Sequence, residues 1–181
     1  MEDSQVNSLF AAAFLTATVF TPQALASDDH AHAEHGGASV EINVQGNKAK
    51  VAFEASTEDV YGLATQAKSD DEKKKADAGL NTLKAKMGEM LVLDAKLGCK
   101  WTATDAQPWV VHGEKKANEK EQHGEVQAKF DVECSAPLSG SRAKFAFKKS
   151  FPTINKVKVK VDNAGKVSNT EIKRDRGAVT L

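Results

Sequence analysis

Three of the five histidines fall within six residues, His30, His32 and His35, inside the stretch SDDHAHAEHGG. Asp28, Asp29 and Glu34 are interleaved with them. Neutral imidazole is a borderline ligand suited to Zn(II), Cu(II) and Ni(II), and neighbouring carboxylates add charge and further acceptors. In an extended chain His30 and His32 point the same way. Gly36-Gly37 permits the bend that would bring His35 to them. A structural ion asks for about four ligands, so this segment alone makes a loose site, and folded residues must complete it. The best candidates are His123 and Glu125, two positions apart and so on one face of a strand. Glu54 and His112 are weaker ones. The expected ligand set is His30, His32, His35, His123 and Glu125, and these residues leave Zn(II), Cu(II) and Ni(II) open as the ion. Imidazole coordinates only when neutral, so affinity should fall below about pH 6. The plainer alternative is a linker that contains histidines incidentally, with His123 an ordinary surface residue.

Other chemistries find little support. Only three methionines are present, Met1 included, which disfavours Cu(I) handling. No HExxH, GxSxG or glycine-rich phosphate loop occurs, so no enzyme is expected. Lys and Arg number 25 against 25 Asp and Glu, and the lysines are spread without aromatic neighbours, so nucleic acid is not an expected partner.

The amino end has the layout of an export leader. Leu9 to Phe20 is an apolar run too short to span a bilayer as a helix. It leads into Ala24-Leu25-Ala26, the small-x-small pattern of a cleavage site. Residues 1–26 are therefore expected to be removed on export to the periplasm, leaving no membrane span. The preceding MEDSQVNS lacks the usual Lys or Arg, which leaves two explanations: a misassigned start codon with the basic segment lost, or a buried amino-terminal helix in place of a leader. The two cysteines, Cys99 and Cys134, agree with export. In an oxidising compartment an even pair reads as a disulfide, the alternative being two buried thiols.

The elements that must position these residues are legible as periodicity. Val40, Ile42 and Val44, then Ala49, Val51 and Phe53, alternate on either side of Gln45-Gly46-Asn47-Lys48, which reads as a β-hairpin with one buried face. Ser69-Asp70-Asp71-Glu72 fits a capping box, and Ala76, Leu80, Leu83 and Met87 follow at helical spacing, with Gly88 as the expected stop. Lys73-Lys74-Lys75 reads as the solvated face of that helix. Further strands are expected around Cys99, Trp101 and Ala103, from Val126 to Cys134, and from Ala143 to Phe147. A closing hairpin is expected across Asp162 to Gly165. Residues 105–122 read as a long polar loop. The expected architecture is α+β: a mainly antiparallel sheet of hairpins over residues 39–181, one amphipathic helix packed on it, one disulfide, and a His-rich tail at 27–38.

Taken in order, HAEHGGASVEINVQGNKAKVAFEAS, the Leu-Gly-Cys at Cys99, His123-Gly124-Glu125 leading to Cys134, and FKKSFP at 147–152 form a pattern. It resembles the bacterial zinc-regulated ZrgA-type proteins over nearly the whole processed chain. The resemblance implies a periplasmic zinc binder that takes part in zinc uptake and passes the ion to a zinc ABC importer. It carries over to His30, His32, His35, His123 and Glu125. One departure is that WVVHGEKKANEKEQH keeps only His112 and His123, where such proteins often have a strongly His-rich loop. A single ion at modest affinity is thus expected rather than high-capacity scavenging. The alternative is a periplasmic protein-interaction module.

Overall fold

The computed structural model describes residues 36–111 and 124–181. Its main layer is a six-stranded sheet in the order β4-β5-β2-β1-β7-β8. The strands are β1 (Gly37–Gln45), β2 (Lys48–Ser56), β4 (Lys100–Val110), β5 (Glu125–Glu133), β7 (Lys156–Asn163) and β8 (Lys166–Lys173). A second, three-stranded sheet runs β3-β6-β9, formed by Leu91–Leu93, Arg142–Phe145 and Ala178–Thr180. Every pairing is antiparallel except β1 against β7, which is parallel. The α+β architecture with hairpin-built strands and one main helix is as the periodicity predicts.

Alternation decides which way each strand faces. Val40, Ile42 and Val44 of β1, Val51 and Phe53 of β2, Phe130 and Val132 of β5, and Val157, Val159 and Val161 of β7 are all buried. They share one face of the sheet and enter one core, because side chains of period two leave a single apolar side to cover. Phe53 reaches across that core to stack on Phe147, just after β6, with ring centroids 5.6 Å apart.

Helix α2 (Asp70–Met90) has the expected capping box, in which the Ser69 and Glu72 side chains each bond the other's backbone N–H. The acids Asp70, Asp71 and Glu72 fill its first turn, where the helix dipole favours negative charge. Leu83, Met87 and Met90 are its buried residues, and Lys73, Lys74 and Lys75 are exposed. Gly88 does not stop the helix, which runs on to Met90. The glycine serves close packing instead: a Cβ there would lie 2.8 Å from the Trp101 indole.

Two further elements depart from expectation. Residues 105–110 are not loop but the second half of β4, paired with β5 through two register shifts. Phe147 does not extend β6; it begins a 3-10 turn, Phe147–Lys149. The disulfide is present, joining Cys99, just before β4, to Cys134, just after β5, with Cα atoms 3.9 Å apart. Asn47 braces it, donating its amide to the Cys134 carbonyl at 2.9 Å. Among the described residues no helix is long and apolar enough to cross a membrane.

Candidate metal centre

One end of the six-stranded sheet collects the chain segments that matter. There β1 begins at Gly37, β2 ends at Ser56, β5 begins at Glu125 and β4 ends at Val110. Ser56 stands opposite Glu125 on β5, and Glu125 opposite Val110 on β4. The core-facing residues of β5 are Val126, Ala128, Phe130 and Val132, so parity puts Glu125 and Gln127 on the other face. Glu54 lies on that face too, opposite Gln127, whose amide donates to Glu54 Oε2 at 2.8 Å. Glu54 and Glu125 are thus diagonal neighbours, within reach of one another's side chains.

Glu125 is 6% exposed. A carboxylate at that depth must be hydrogen-bonded, charge-paired or bound to a cation to be tolerated. Ser56 and Thr57 beside it are buried as well. The Thr57 N–H donates to the carbonyl of Gly124 at 2.9 Å, which ties the entry of β5 to the exit of β2.

The short helix α1 (Thr57–Tyr61) builds the other wall. Ser56 caps it, with its hydroxyl accepting the Asp59 N–H at 3.1 Å and donating to Asp59 Oδ2 at 2.8 Å. The same Asp59 oxygen accepts the N–H of Gly36 at 2.8 Å. Gly36 is gripped from its other side as well, its carbonyl accepting from Asn155 and Lys156 at 2.8 and 3.1 Å. Tyr61 closes α1 with its phenol kept protonated: burial comes first, and the negative charge of Asp77 second, in driving its pKa upward.

The five histidines, His30, His32, His35, His112 and His123, lie outside the described residues. Glu125 of the expected set and the weaker candidate Glu54 lie within them, and the sheet sets both on one face at one end. Among the described residues no three His, Cys, Asp or Glu side chains gather closely enough to hold an ion. The described part therefore supplies carboxylates and attachment points: Gly36 directly follows His35, Gly124 directly follows His123, and Val111 directly precedes His112.

Two features of this end escape sequence reasoning. Asp59 acts on backbone rather than on a ligand, and its only signal is the Ser-x-x-Asp cap at Ser56 to Asp59. Gly124 is required sterically, because a Cβ there would lie 2.3 Å from the Trp109 ring. Nothing in the local pattern announces that pairing.

No curated protein matches the chain. A family model described as "ZrgA family zinc uptake protein" matches residues 31–181. That span covers most of the chain and all of its described part, so the protein belongs to the ZrgA family of zinc uptake proteins.

Proposed function

We propose that this protein is a periplasmic zinc-binding protein that captures Zn(II) and delivers it to an importer, acting as a carrier and not as an enzyme. The ligands in this reading are His30, His32, His35 and His123, with Glu125 as the carboxylate. Family membership supports the zinc, and the leader-like segment at 1–26 supports the compartment.

The observation that carries the site is the convergence of attachment points. Gly36 is fixed by Asp59, and Gly124 is bonded to Thr57. These points immediately precede β1 and β5, which lie two strands apart with β2 between them. At about 4.8 Å per strand the separation is about 10 Å, short enough for chains leaving both points to share one ion. Imidazoles and a buried carboxylate suit Zn(II), whose sites take nitrogen and oxygen ligands.

Isothermal titration of the protein with zinc tests the proposal, comparing wild type with the variant in which His30, His32 and His35 are all alanine. One ion bound per chain, with binding lost in the variant, is the expected result. Absence of binding by wild type at micromolar zinc would overturn the proposal and leave an exported interaction module.

A further inference from the structure

The balanced formal charge conceals a polarity along the chain. Ser139 to Leu181 carries eleven Lys and Arg against three Asp and Glu, whereas the residues before it carry fourteen against twenty-two. The two stretches differ as +8 and −8, or as +8 and −6 without Glu2 and Asp3 of the expected leader. An asymmetry of that size points to a charged partner.

The fold gathers much of the basic share around one shallow groove of about 490 Å³ on the three-stranded sheet. Val92 and Ala178 give it an apolar floor, with Arg142 and Lys144 among the lining residues. Arg142 and Lys144 are exposed while Ala143 and Phe145 are buried, so both cations stand on the solvent face of β6. Lys144 lies between Val92 on β3 and Ala178 on β9. Lys148 follows in the 3-10 turn, and Arg174 and Arg176 flank Asp175 in the turn that precedes β9.

Asp175 is the one carboxylate lining the groove, and it is engaged. Its two oxygens accept the N–H groups of Phe147 and Lys148 at 3.1 and 2.9 Å. Arg174 and Asp175 both hold left-handed backbone, with φ of 53° and 56°, a conformation that non-glycine residues adopt at a cost and that gathers at functional sites. The Asp175 bonds hold that turn against the 3-10 turn. Among the described residues, Lys149 is paired with Glu89 and Lys173 with Glu171. Arg142, Lys144, Lys148, Arg174 and Arg176 have no ion pair there.

We infer that this groove docks an acidic segment of a partner polypeptide. Arg142 offers a planar fork that matches a carboxylate, and the lysines add point charges around an apolar floor. A lipid surface fits less well, since Arg142 and Lys144 line a concavity and no large aromatic side chain protrudes to insert. Val92, at 38% exposed, is the one large apolar side chain exposed in the groove. The inference is independent of zinc.

The test is fluorescence anisotropy of a labelled poly-glutamate peptide of about 20 residues, titrated with the protein at about 20 mM salt, where surface charges are weakly screened. R142E/K144E is compared with K84E/K86E, which makes the same change in net charge on exposed positions of α2. The expected result is binding weakened at least about tenfold in the first pair and less than about twofold in the second, because the effect belongs to a site and not to net charge. Thermal melts check that both variants fold; if R142E/K144E does not, R142Q/K144Q is compared with K84Q/K86Q, which again makes the same change in net charge. Equal weakening in both pairs, or no binding by wild type, would overturn the inference. So would vesicles rich in phosphatidylglycerol, if they bind wild type and lose R142E/K144E while the peptide binds both alike.

Discussion

Asp59 and Gly36, 23 residues apart, are joined by a 2.8 Å hydrogen bond from the Gly36 N–H to a buried carboxylate oxygen. The bond fixes the point from which the chain leaves toward His35, at the end of the sheet where Glu125 opens β5. Replacing Asp59 with alanine leaves the Gly36 N–H and the Ser56 hydroxyl without this acceptor. The expected loss is about 1–3 kcal/mol of stability, read by urea unfolding. On the proposed zinc site, affinity should also fall about tenfold, near 1.4 kcal/mol. A variant that loses stability but keeps wild-type zinc affinity would confine Asp59 to the fold.

Gly124 and Trp109 make a second test of the same end. Gly124→Ala forces a methyl group against the indole at 2.3 Å, and overpacking of this kind costs about 1–3 kcal/mol. Adding Trp109→Ala should recover part of the loss, because the two residues share one contact and their effects are not additive. Denaturation midpoints of the two single variants and the double variant decide it. Simple addition of the single effects would show that the ring and the glycine do not meet.

The Cys99–Cys134 bridge closes a span of 35 residues. Replacing both cysteines with alanine should destabilise the domain by about 4 kcal/mol in the chain-entropy account of cross-links. The measurement is urea unfolding of the oxidised protein, the reduced protein and the double variant. The last two should agree with each other and lie well below the first.

Glu72 sets a pH signature on α2. The N–H groups of Ser69 and Lys68 donate to its carboxylate and hold its pKa below the ordinary 4.5, the Ser69 bond contributing most. A carboxyl depressed in the folded state adds stability that is present above its unfolded pKa and lost as pH falls through the folded one. Glu72→Gln should therefore be less stable than wild type at neutral pH, with the gap closing on acidification below about pH 4.5. A gap that stays constant from neutral pH to pH 3 would contradict this.

Most of the scaffold is legible in the residues because half-buried strands and an amphipathic helix write their periods into the chain. The alternations from Val40 to Phe53 and from Val126 to Cys134 place β1, β2 and β5 and set Glu125 on its face. The Ser69 box places α2. What is not legible has physical causes. Residues 105–110 of β4 form an edge strand that is mostly exposed, so they carry no apolar alternation and look like loop. Gly88 resembles a helix stop, but its role is set by Trp101, which arrives from another element. The parallel β1–β7 pairing joins segments more than 100 residues apart, and nothing local encodes it. Asp59 is illegible as part of the candidate site because its partners are backbone groups and a capping serine.

X-ray absorption at the zinc edge, on protein loaded with one equivalent of metal, tests the central claim most directly. The account predicts about four nitrogen and oxygen neighbours near 2.0–2.1 Å, with outer-shell scattering from at least about three imidazoles. It also predicts that one imidazole contribution disappears in His123→Ala, and that zinc mixed with the variant lacking His30, His32 and His35 shows no imidazole scattering, because that variant no longer holds the ion. A first shell dominated by oxygen, with a spectrum unchanged in both variants, would show that the two histidine-bearing segments do not meet at the ion.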